Sequence, residues 1–213
     1  NSQSLDGGLD VNYNITPGLK ASLTVNTDFA ETEVDDRQIN LTRFPIRFPE
    51  KRDFFLEGAN IFRFASSSGV YPYFSRKIGL RSGNPIPILY GGRVIGKIGK
   101  VEVAAQQVKT RETDNFSSEE FSVIRLKQNF LKESSIGLLY TRRHTNKGKQ
   151  FVPPLQDRNT LGIDLTLNTS TFLKNQNLQF QAFAVIHNPE LPGEINNNIW
   201  DLSLIHISEP TRR

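Results

Sequence analysis

Apolar and polar residues alternate through segments of about ten residues along most of this chain, a two-residue period that belongs to β-strands with two unlike faces. Leu9, Val11, Tyr13 and Ile15 alternate with Asp10, Asn12 and Asn14. Thr16, Pro17 and Gly18 supply a turn, after which Leu19, Ala21, Leu23 and Val25 alternate with Lys20, Ser22 and Thr24. Further pairs are expected over 89–97 with 101–109, 121–128 with 135–142, and the runs beginning at Leu161 and Leu178. Links within these pairs are short, whereas the stretches 110–119, 144–159 and 187–197 between them are long and polar. A last strand begins at Ile199 and Trp200.

Short turns alternating with long loops, on strands of this length, predict an all-β fold: an antiparallel up-and-down β-barrel of the transmembrane outer-membrane type. A soluble sandwich would use shorter strands and Greek-key crossings. The first hairpin alone is equally compatible with the edge of such a sandwich. No apolar run approaches the ~18–20 residues of a membrane helix, but a barrel strand needs only ~9–11. Glycines at 91, 92, 96, 137 and 162 fall inside strands, where they leave room beside bulky lumenal side chains. Phe130, Tyr140, Phe172 and Trp200 lie near strand ends, as in an interfacial girdle. About seven or eight strands are expected, an incomplete barrel with an unpaired edge.

The stretch 28–84 breaks this regularity and reads as an irregular charged and aromatic insertion. Within it, Arg43, Arg47, Glu50, Lys51, Arg52, Asp53 and Glu57 bring both signs of charge beside Phe44, Phe48, Phe54 and Phe55, with Pro45 and Pro49 interrupting any regular element. Charges cannot face lipid, so in a barrel this block belongs in the lumen or at a rim. Two roles are open: a constriction or plug whose cations bias passing solutes, or an ion-paired anchor holding the segment to the wall. Paired carboxylates of a glycoside hydrolase are a third reading, but the neighbouring cations favour salt bridges.

Other chemistry is sparse. The 213 residues contain no cysteine, so disulfides, thiolate metal sites and cysteine nucleophiles are excluded. His144 and His187 fall in separate predicted loops without ligand spacing, and the acidic run from Glu31 to Asp36 lacks a calcium-loop pattern. No metal or cofactor is expected. A net charge of +4, spread among carboxylates, gives no basic stripe for nucleic acid.

The block 40–58, with Asn26 to Phe29 before it and Ile61, Phe62 and 74–80 after it, resembles an uncharacterised outer-membrane β-barrel domain of Gram-negative bacteria. That domain commonly follows a carbohydrate-binding module of the family 9 type. The most specific part is Phe48-Pro49-Glu50-Lys51-Arg52 with Phe54-Phe55-Leu56-Glu57-Gly58; Asp53 stands where proline is common. The resemblance covers roughly residues 9–200. It implies a bacterial outer-membrane location, contact with outer-membrane lipid, and a non-enzymatic role in passage or surface handling of a glycan or small solute. The alternative is a carbohydrate-active hydrolase or a soluble carbohydrate-binding β-module. Residues 202–212 resemble the translation of a sequencing adapter, so the partial barrel domain is expected over 1–201 and a non-native tail over 202–213.

Overall fold

The computed structural model describes residues 7–26, 48–65, 69–81, 84–146, 157–172, 176–187 and 199–208. The strands are β1 (Leu9–Thr16), β2 (Leu19–Val25), β3 (Leu80–Arg81), β4 (Asn84–Pro85), β5 (Ile88–Ile98), β6 (Val101–Thr110), β7 (Glu119–Phe130), β8 (Ser134–Thr145), β9 (Arg158–Phe172), β10 (Gln176–His187) and β11 (Ile199–Ser208). Nine of them form one sheet in the order β1-β2-β5-β6-β7-β8-β9-β10-β11, every pairing antiparallel. The remaining two, β3 and β4, make a separate ribbon.

This is the expected all-β, up-and-down meander, without Greek-key crossings. Residues 17–18, 99–100, 131–133 and 173–175 make short turns at one end of the strands, and the longer connections lie at the other. Among the described residues no ladder joins β1 to β11, so the sheet is open along those two edges and is not closed into a barrel.

Several boundaries differ from the sequence reading. The sheet has nine strands because β11 runs to Ser208, with Leu202 opposite Ala182 and Leu204 opposite Phe180. His144 and His187 lie at the ends of β8 and β10 instead of in loops, because the ladder continues through Arg143↔Arg158 and His187↔Thr160. Polar residues on both faces there hide the strand period from a sequence reading.

The register sorts the side chains into two unlike faces, since directly opposed residues point the same way. On one face Tyr13, Ala21, Val94, Ala105, Ile124, Tyr140, Leu161 and Ile186 form a continuous row from β1 to β10. Beside it runs a second row, Val103, Leu126, Leu138, Ile163 and Ala184. This face is open: Ile124, Leu138 and Ile163 are 44%, 41% and 47% exposed.

The opposite face carries the buried groups, many of them polar: Ser22, Thr24, Arg93, Gln106, Arg125, Asp164 and Gln181. They are covered by the segment 48–79, which contains the short helix α1 (Asp53–Leu56) and a 3₁₀ turn at Ser75–Lys77. The core lies between segment and sheet. Phe62, Phe64 and Ala65 pack with Ile95, Ala104, Val123, Leu139, Phe183 and Val185, while Phe55 and Ile78 pack with Ile88 and Val108.

Strand glycines make this contact close. A Cβ on Gly162 would lie 2.7 Å from Cε2 of Phe64, and one on Gly91 would lie 3.1 Å from Cζ of Phe54. Gly92, on the other face, has nothing within 4 Å of a built Cβ. Gly162→Val is therefore expected to lower unfolding stability by about 1–3 kcal/mol through overpacking. Gly92→Ala should leave it nearly unchanged, and denaturant unfolding of the two variants measures the difference.

Candidate functional site

The segment 48–79 and the polar face beneath it bring together most of the charged groups that the sequence singled out. Arg52 is the centre of the segment. Its guanidinium grips Glu50 with two contacts of 2.8 Å, from Nε to Oε1 and from Nη2 to Oε2. The same fork donates from Nη1 to the Ile78 carbonyl at 2.7 Å and from Nη2 to the Ser75 carbonyl at 2.8 Å. Ser75 Oγ returns a 2.7 Å hydrogen bond to Glu50, and the Phe55 ring lies 4.1 Å beneath the guanidinium carbon.

Such a planar, fully used fork is why arginine suits this position and lysine does not. It ties residues 50–55 to residues 75–78, so the segment is braced upon itself. Burial alone would raise the Glu50 carboxyl, but its hydrogen bonds to Arg52, the Arg52 charge and Ser75 outweigh that and hold it below the ordinary carboxylate range.

A second group ties the segment to the sheet. Glu57 accepts from Lys20 of β2 at 2.6 Å and from Arg93 of β5 at 2.5 Å. Arg93 also donates to the carbonyls of Phe54 and Glu57, the latter at 3.0 Å, and stacks 4.8 Å from the centre of the Phe54 ring. The Lys20 hydrogen bond is the main reason that the Glu57 carboxyl is depressed, with burial opposing and Arg93 adding to the effect. Tyr73 completes the attachment by accepting from Gln106 Nε2 of β6 at 2.9 Å.

A third pair lies within the wall. Arg125 of β7 and Asp164 of β9 meet through Nη1–Oδ1 at 2.5 Å and Nη2–Oδ2 at 2.9 Å, across the intervening β8. They meet above Gly137, where a Cβ would come within 2.5 Å of Arg125 Nη1 and 2.6 Å of Asp164 Oδ1. Phe64 covers the pair, with the Arg125 guanidinium carbon 5.6 Å from its ring centre. Further along the same face, Arg143 Nη2 contacts buried Glu119 at 2.6 Å.

Of the sequence-predicted residues, Glu50 and Arg52 pair with each other, and Glu57 turns instead to Lys20 and Arg93. Lys51 and Asp53 are exposed. Phe54 and Phe55 meet edge to face, 5.1 Å between ring centres, and Phe48 is half-buried. Arg43, Phe44 and Arg47 lie outside the described residues. Sequence reasoning missed Arg93, Arg125, Asp164, Glu119 and Arg143. A signal was present in the charges at mid-strand positions of the polar phase, with a glycine on the strand between Arg125 and Asp164.

The arrangement is suited to holding, not to bond cleavage. Glu50 and Glu57 are each engaged by cations, as salt bridging predicts. Among the described residues no three His, Asp or Glu side chains converge as a metal site would need.

Residues 1–88 match the model of a family described as Domain of unknown function (DUF5916). The match takes in the first hairpin and the covering segment, and supports the resemblance at the level of an uncharacterised domain. No curated protein and no solved structure matches the chain.

Two outcomes follow from these pairs. Arg125→Met should cost about 3–5 kcal/mol because it leaves Asp164 buried without its cation, and adding Asp164→Leu should recover most of the loss, as a double-mutant cycle in denaturant would show. The second concerns acid. A carboxyl depressed on folding contributes stability above its unfolded value, and that contribution is lost as pH falls through the folded one. Protease cleavage within 48–79 should therefore accelerate below about pH 4. Glu50→Gln should show fast cleavage already at neutral pH, with a weaker acid dependence.

Proposed function

We propose that this sheet is the wall of an outer-membrane-type β-barrel, that the segment 48–79 is its lumenal plug, and that the protein takes part without bond-making chemistry in passage or surface handling of a solute. The observation that carries this reading is the inverted polarity of the sheet. Arginines at 52, 93 and 125 are buried, while the apolar rows through Ile124 and Leu138 are open. Soluble proteins rarely bury arginine and rarely leave a contiguous apolar patch larger than a few hundred Å². In lipid the order reverses, because hydrocarbon can cover the apolar rows while the other face keeps its charges paired.

Strand length supports the same reading. β5, β6, β7 and β8 have 11, 10, 12 and 12 residues, close to the ~9–11 of a tilted barrel strand. The apolar band also drifts along the strands. On the outward face Val11 and Leu23 are followed in register by Gly92, Gln107, Ser122 and Arg142, so a row that is apolar at β1 has become polar by β6. Strands tilted against a level membrane produce such a drift. No described helix is long and apolar enough to cross a membrane, which leaves strands as the spanning elements of this reading. The edges at β1 and β11 require cover in hydrocarbon, from each other or from further strands.

The plug reading rests on how the segment is held. Its strongest brace, Glu50–Arg52, is internal, whereas Glu57–Arg93–Lys20 and Tyr73–Gln106 join it to the wall. Such a body can keep its shape if those links loosen. A glycan-derived solute fits the family resemblance, and a carbohydrate-active hydrolase finds no free carboxylate pair at Glu50 and Glu57 to support it.

Fractionation of cells expressing the intact gene should place the product with outer-membrane proteins; a soluble periplasmic product would overturn the reading. Leu138→Arg should cost about 2–4 kcal/mol in lipid if Leu138 lies near the bilayer midplane, and block insertion into vesicles. Glu57→Gln in the full-length protein should raise conductance in planar bilayers by loosening the plug.

A further inference from the structure

A cavity of about 220 Å³ lies between the segment and the inner face of the sheet, beyond the Tyr73–Gln106 hydrogen bond. We infer that it is a binding site for a hydroxylated monocarboxylate of monosaccharide size, a sugar acid. This deepens the substrate-handling reading and rests on the segment lying against that face.

The floor comes from the strand register. Thr141, Thr160 and His187 are successive members of one inner row, and Arg143 and Arg158 are successive members of the next. All five line the cavity. His187 Nδ1 and Thr160 Oγ1 are 2.8 Å apart, so a donor–acceptor pair is already oriented at the floor. The lid is aromatic, formed by Tyr71, Tyr73 and Phe74 of the segment, with Phe121 at one side.

Each component selects a part of the ligand. Arginine presents a planar fork that matches a carboxylate, and two stand adjacent here. Lys77 adds a third cation to the lining, and the inner-face carboxylate nearest them, Glu119, contacts Arg143 at 2.6 Å. Asp157, close to the same strand ends, bonds to Arg142 and His144. The balance of charge favours an anion. Threonine hydroxyls and imidazole provide partners for ligand hydroxyls, while aromatic faces cover the apolar face of a ring. Pockets for drug-sized ligands run from about 300 Å³ upward, so this smaller space sets a limit near one sugar ring.

Calorimetry on the full chain folded in detergent, with galacturonate as probe and galactose as its neutral counterpart, tests the assignment. Galacturonate should bind saturably and at least tenfold more tightly than galactose. Arg158→Gln should remove that preference, and Tyr71→Ala, at a side chain 55% exposed, should weaken both sugars at least fivefold without altering the unfolding transition. If Arg158→Gln does not fold, Tyr71→Ala decides alone. Absence of saturable galacturonate binding, equal affinity for galactose, or wild-type affinity in Tyr71→Ala would each overturn the site. Parallel fractionation separates the outcomes: a membrane-inserted protein that fails to bind sinks this inference and leaves the barrel reading, whereas a soluble protein that binds does the reverse.

Discussion

Arg125 and Asp164 sit in the middle of a β-sheet, away from water, two strands apart. Removing an ion from water costs several kcal/mol even after relaxation, and a pair recovers that only with close geometry and its remaining hydrogen bonds satisfied. The bidentate contact across Gly137 supplies the geometry, and Phe64 supplies the cover. Much of the fold answers the same demand. Arg93 is placed on carbonyls and a carboxylate of the segment, and Glu119 receives Arg143. The side of the sheet that holds these groups has to be roofed, because open water would weaken each pair.

The roof is the segment 48–79. Its aromatics do the covering, and strand glycines at 91 and 162 let two of them approach the backbone. Its charges perform two separate tasks. Glu50 and Arg52 fold the segment upon itself, and Glu57 reaches out to β2 and β5. Charge density that looks uniform along the sequence thus divides into an internal brace and an external tether. The cavity near Tyr73 exists because the roof touches the wall through Gln106 and stands off over Thr141, Thr160 and His187.

Strand period, turn positions and the meander were legible in the sequence because each depends on local alternation and turn chemistry. The two-residue link at 99–100 and the hairpin at 17–18 appear as expected. The place of the glycines beside bulky groups was also legible for 91, 137 and 162. The polar partners were not. Lys20, Arg93 and Asp164 are near their partners only after the segment folds back onto the sheet, and the separations of 37, 36 and 39 residues leave no local trace. Strand ends at His144 and His187 were missed for a different reason: near the rim both faces turn polar, and the period disappears while the ladder continues.

The central claim is that the apolar face meets hydrocarbon. With no cysteine in the chain, single cysteines can be introduced cleanly and spin-labelled. Labels at positions 126, 138 and 163 probe the apolar rows, and labels at 107 and 142 probe the same face beyond the band. In lipid vesicles the first set should relax strongly with oxygen and weakly with a water-soluble nickel chelate, and the second set the opposite. Chelate access at 126, 138 and 163 equal to that at 107 and 142, in protein whose circular dichroism shows the sheet intact, would contradict the account.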